Sequence, residues 1–140
     1  MQTIGVNAID AAQSHLNLPL YVPNQGGASS LFHFNQIVLV SEATDLRAGM
    51  DTLCTKAIQL AGEVAPHEGY VFLNRHRTLL KLVVHDAMGT WLCTRRLHEG
   101  GFRGANSHVM NPHLSTEQLQ ALTLGLPWQR LGEAGIFRHA

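Results

Sequence analysis

The chain has 140 residues, 45% of them hydrophobic, with lysine plus arginine balancing aspartate plus glutamate at a formal net charge of zero. That length fits one domain around one core, and the neutral balance excludes a partner recognised through overall charge, so charge placement must carry any such argument. Cys54 and Cys93 form no CxxC pair, no basic-then-apolar leader opens the sequence, and no apolar run approaches the roughly 20 residues that cross a bilayer; a reducing, cytoplasmic setting without a membrane is expected.

Residues 1–36 read as a loosely attached N-terminal extension, carrying one charge (Asp10), the run from Asn24 to Ser30, Pro19 and Pro23. Val6, Ile9 and Leu16 give it one short amphipathic helical stretch, suited to docking on the core or on a neighbouring subunit. Ile37 to Val40 is a β-branched run that predicts a buried strand ending at Ser41 and Glu42. A helix follows, with Thr44 or Asp45 as N-cap and Leu46, Met50, Leu53, Ala57, Leu60 and Ala61 on one face, closed by Gly62. Gly49 inside that helix costs about 1 kcal/mol relative to alanine, which predicts close packing of the helix on a sheet.

Tyr70 to Leu73 reads as a second strand, and Asn74-Arg75-His76-Arg77 as a polar corner. A third strand spans Thr78 to His85. Asp86 to Gly89 is a reversal with its glycine placed for positive φ, so Thr90 to Leu97 returns antiparallel. Gly100 and Gly101 permit a further reversal into a short strand near Phe102. Ser115 and Gln118 form a capping box for a last helix to about Gly125, with Leu119, Leu122 and Leu126 on its apolar face and Pro127 and Trp128 beyond its end. The prediction is one α+β domain over 37–131, a mainly antiparallel sheet with helices packed on it in the order β-α-β-β-β-(β)-α, then a tail at 132–140.

Six of the ten cationic residues, Arg75, Arg77, Lys81, Arg95, Arg96 and Arg103, fall between positions 75 and 103, against Asp86 and Glu99. Strand alternation puts Arg77, Lys81 and His85 on one face beside the returning strand, with Tyr70 and Trp91 nearby. Such a face suits a nucleic-acid backbone or an acidic protein surface; the plain alternative is a solvated sheet face. Arg47, between Asp45 and Asp51, either bridges those carboxylates or faces a partner.

Nine histidines form no HxH, HxxxH or HExxH pattern, so neither a metal nor a cofactor is expected. GxxxxGK[ST], GxGxxG and GxSxG are absent. Both cysteines read as core residues rather than nucleophiles. Asp45 and Asp51, on one helix, would stand about 600° of rotation apart and could not share two metal ions.

These residues carry a family resemblance. Thr44-Asp45-Leu46-Arg47-Ala48-Gly49-Met50-Asp51-Thr52-Leu53 resembles the Thr-Asp-Met-Arg-Lys-Gly-Phe-Asp-Gly-Leu signature of the TnpB accessory proteins of IS66-type insertion sequences. Tyr70-Val71-Phe72, Arg75-His76-Arg77, Leu80-Lys81-Leu82 and the turn from His85 to Gly89 are similar to later segments of that family in the same order. So are Trp91-Leu92, the stretch from Arg95 to Phe102, and Leu114-Ser115 with Gln118, Leu119, Leu122, Gly125 and Trp128. The resemblance covers about 36 to 131. It departs where His85 replaces a tryptophan, Ala48 a lysine and Gly101 a frequent cation, which thins the basic surface.

The resemblance implies a non-catalytic accessory role in DNA transposition, the catalytic carboxylates belonging to a separate transposase. The transposase of the same element, element DNA, or both are then the expected partners, and local charge offers Arg47, Arg75, Arg77, Lys81, Arg95, Arg96 and Arg103 as the contact residues. Two other readings stand beside it. One is a small-molecule or enzymatic domain centred on His85, Asp86 and His98; the other is an interaction module that forms a homo-oligomer through its N-terminal extension.

Overall fold

A computed structural model describes residues 34–105 and 109–131. The extension's amphipathic stretch and the tail at 132–140 therefore lie outside the described residues. Four strands, β1 (Gln36–Leu39), β2 (Glu68–Leu73), β3 (Leu79–His85) and β4 (Thr90–Arg96), form one sheet in the order β1-β2-β3-β4. Helix α1 (Met50–Ala61) connects β1 to β2, so those two pair in parallel; the hairpin-linked β2–β3 and β3–β4 pairs are antiparallel. The fold is α+β, as the sequence predicts.

Both faces of the sheet are covered, which explains why β2 reads as an unbroken apolar run rather than an alternating one. On one face Val38, Val40, Tyr70, Phe72, Val83 and Leu92 pack with Leu46 and with Leu53 and Ala57 of α1. On the other, Ile37, Leu39, Val71, Leu80, Leu82, Val84 and Cys93 meet Leu119 and Leu122 of α2 (Thr116–Thr123), together with Phe102 and Trp128. A short 3-10 turn at Trp128–Arg130 completes that layer, and Trp128 Nε1 donates to the Arg103 carbonyl at 2.7 Å.

The capping box forms as the sequence predicts. Gln118 N–H donates to Ser115 Oγ at 3.0 Å, and Ser115 N–H to Gln118 Oε1 at 2.9 Å. The far end of α2 closes with Gly125 at φ 75, its N–H on Leu122 O and that of Leu126 on Ala121 O, the paired bonds of a glycine-terminated helix. Gly62 closes α1 in a similar way, at φ 81, donating to Ile58 O.

Five local expectations are corrected. Helix α1 begins at Met50 rather than at Leu46: Thr44 is buried with its N–H on Leu73 O, and Asp45 caps a separate turn by accepting from Arg47 N–H at 3.0 Å. Gly49 is the exposed N-cap residue, and a Cβ there would meet nothing within 4 Å, so packing does not require glycine. Leu60, in the last turn of α1, and Leu126, just past the Gly125 stop, lie on the solvent side, at 47% and 41% exposure. No strand forms near Phe102; its N–H donates to Arg77 O and its ring is buried, so it anchors the loop from Gly100 to Gly104 as a single plug.

In the Asp86–Gly89 hairpin turn the glycine does not take a positive φ. The Asp86 carboxylate makes the turn instead, accepting from Met88 and Gly89 N–H at 2.8 and 3.0 Å.

Candidate contact site at the arginine end of the sheet

The parallel β1–β2 pair and the two antiparallel pairs together bring the C-terminal ends of β1, β2 and β4 and the start of β3 to one end of the sheet. The segments leaving that end carry most of the candidate cations. Arg47 stands in the turn fixed by Thr44 on Leu73 O, Arg75 and Arg77 in the β2–β3 turn, Arg95 and Arg96 at the close of β4, and Arg103 in the loop anchored on Arg77 O. Lys81, further along β3, reaches the Ala48 carbonyl at 3.5 Å. The carboxylates Glu63, Glu68 and Asp86 belong to the opposite end, at or beside the start of β2 and the end of β3.

Asn74 builds the β2–β3 turn. Its side-chain oxygen accepts from Thr78 N–H at 2.9 Å and Leu79 N–H at 3.0 Å, and its amide donates to Thr78 Oγ1. Arg77 N–H closes the turn on Asn74 O, leaving Arg77 at φ 59 with its guanidinium laid against Gly104. A Cβ on Gly104 would stand 2.7 Å from that guanidinium, so Gly104 must be small for Arg77 to lie there.

The candidates do not act as one sheet face. Lys81 and His85 do share the α1 side, but Arg77 leaves the strand pattern at the turn, and the interior of β3 is buried on both sides. Arg95, opposite Leu80 on the α2 side, donates from Nε to the Thr123 carbonyl at 2.7 Å, where a cation suits the last turn of a helix. It braces α2 against β4. Arg47 is exposed but held by Asp45 at 2.7 Å, and that pairing lowers the Asp45 carboxyl to about 2. Lys81 is half-buried, and burial lowers its pKa. Arg75, Arg77, Arg96 and Arg103 are exposed and form the outward part of the group. Tyr70 is 2% exposed and offers no stacking surface.

The residues of the enzymatic reading are not brought together. His85 lines a small cleft of about 270 Å³, counted out to open solvent, with Cys54, Val64, Glu68 and Tyr70. Asp86 is committed to its turn, and His98 follows β4 at the other end of the sheet. Burial, then the Asp51 charge, pushes the Cys54 thiol up, while burial pushes Cys93 to about 12, so neither is primed as a nucleophile. Among the described residues no three His, Cys, Asp or Glu side chains converge as a metal site, and no helix is long and apolar enough to cross a membrane.

Residues 35–133 match the model of the family described as IS66 Orf2 like protein. The chain belongs to this family. Membership places it among the accessory proteins associated with transposition of IS66-type insertion sequences. It is also 32% identical over 88 residues to a protein of Sinorhizobium fredii strain NGR234 described as uncharacterized protein y4hO, a span of 61% of this chain and 76% of that protein. No solved structure matches. The matched region begins one residue before β1 and takes in all four strands, both helices and the whole arginine end.

Proposed function

We propose that this protein is a non-catalytic accessory factor in transposition that works by contact, its arginine end meeting an anionic surface of the transposase, of element DNA, or of both. The observation that carries the reading is the exposure of Arg75, Arg77, Arg96 and Arg103 on segments that the sheet register gathers at one end, in a chain with zero formal net charge. A hydrogen-bonded turn holds the backbone beside Arg75 and Arg77, and a buried phenyl ring the backbone beside Arg103, so binding need order the side chains of these residues but not their backbone.

The test is an element-end DNA shift at low and high salt beside capture of the cognate transposase, using the full chain and an Arg75→Ala/Arg96→Ala variant. Phosphate contact is expected to weaken steeply with salt, by a log–log slope of about 0.9 per phosphate neutralised, and the variant to lower that slope by up to about 2. Transposase contact is expected to weaken in the variant whether or not DNA is present. Failure to bind either partner, or binding unchanged by the double substitution, refutes the proposal.

A further inference from the structure

The two borders of the sheet are finished differently. Along the outer side of β1, Leu39 N–H donates to Pro112 O, Leu114 N–H donates to Ile37 O, and Val38 bridges His113. Among the described residues the outer side of β4 has no such cover. Leu97 N–H on Thr78 O and Asp86 N–H on Gly89 O fix the phase of the β3–β4 ladder, so the backbone groups of Trp91, Cys93 and Arg95 point at β3. Those of Thr90, Leu92, Thr94 and Arg96 point outward, and no hydrogen bond to them is made among the described residues. The pairing runs without a bulge from Thr90 to Arg96 and the strand contains no proline, so the charges of Arg95 and Arg96, at its last two positions, are what guards this edge. The Thr94 side-chain oxygen, midway along this edge, is itself buried without a hydrogen-bond partner among the described residues.

We propose that β4 pairs with β4 of a second copy of this chain, antiparallel about a two-fold axis at Cys93, joining two four-stranded sheets into one. The register argues for a second copy rather than another strand. Outward groups must face outward groups, so the two-fold has to pass through a residue, and only Cys93 lets all of β4 take part. That alignment sets Leu92 against the partner's Thr94 and Thr90 against the partner's Arg96, both bonded pairs made of outward residues. It sets Trp91 against the partner's Arg95, a cation beside an indole, and keeps every arginine from facing an arginine. Moving the axis to Thr94 or to Arg95 shortens the ladder, and at Arg95 that residue would also face its own copy. This inference stands apart from the contact reading: it uses the side of the sheet, not its arginine end.

The experiment measures the mass of the full chain across a concentration series, together with exchange of its backbone amides. A particle of two chains is expected, in which the Leu92 and Thr94 amides exchange at least about tenfold more slowly than freely exposed ones. Thr94→Pro removes an outward N–H that makes no bond among the described residues, so the fold should persist while the mass falls by half. A single-chain mass at every concentration overturns the proposal. So does a dimer whose Leu92 and Thr94 amides exchange freely, or one that a folded Thr94→Pro variant retains. Protection of these amides in a single-chain particle also overturns it, because the cover would then come from the same chain. If the proline variant fails to fold, wild-type mass and amide exchange alone decide.

Discussion

Arg77 separates the cost of its backbone from the use of its charge. It stands at φ 59, where a residue with a Cβ carries a penalty of about 1 kcal/mol, and both of its backbone hydrogen bonds survive any non-proline substitution. Arg77→Gly relieves that penalty but gains about 0.5–1 kcal/mol of unfolded-state entropy and loses the guanidinium contact with Gly104. Net stability should therefore stay within about 1 kcal/mol of wild type. Arg77→Val puts a β-branched side chain at the same φ, where it fits worst, and should cost about 1–2 kcal/mol. At roughly 4–8 °C per kcal/mol for a domain of this size, thermal unfolding followed by circular dichroism resolves the two. Both variants remove the same charge, so both should lose about one phosphate contact from the salt slope of DNA binding. A valine variant as stable as the glycine variant refutes the backbone argument. Wild-type binding by either variant removes Arg77 from the contact surface.

Three further outcomes are expected. Asn74→Ala leaves the Thr78 and Leu79 amides without their side-chain acceptor and should cost about 1–3 kcal/mol in chemical denaturation, with loss of binding through Arg75 and Arg77 following from the loosened turn. Ser115→Ala removes half of the capping box and should cost about 1 kcal/mol, whereas Ser115→Asp should retain most of the stability, both read from denaturation midpoints. The Asp45 carboxyl should titrate by NMR near 2 and return toward 3.8 in Arg47→Ala. Because its folded value is depressed, whatever the pair contributes to stability is present above about pH 4 and lost as pH falls through about 2.

Features set by neighbouring residues were legible in the sequence. The Ser115–Gln118 box, the Gly62 stop and the polar corner at Asn74 each depend on side chains a few positions apart, and the structure shows all three. The stretch from Thr44 to Gly49 misleads because an aspartate that accepts from the next amides serves a turn as well as a helix start. Phe102 reads as a strand because an apolar residue between glycines looks the same whether it joins a ladder or plugs a core. The arginine end was only partly legible. Clustering between 75 and 103 was visible, but the gathering of Arg47 with Arg75 and Arg103 depends on β1 running parallel to β2, and the assignment of Arg95 to the end of α2 depends on which face of β4 it occupies.

A balanced charge count conceals how that charge is distributed along the molecule. Arg47, Arg75, Arg77, Arg95, Arg96 and Arg103 outnumber Glu42, Asp45 and Glu99 beyond one end of the strands, while Glu63, Glu68 and Asp86 lie toward the other, so charge is unevenly placed along the sheet. In the field of a polyanion such an uneven body would feel little net pull but a turning force, so, if the proposed contact holds, encounter should come arginine end first. That alignment fades over a screening distance of about 8 Å at physiological salt. Dilute buffer would favour oriented encounter, and added salt would slow arrival before it weakens the docked state.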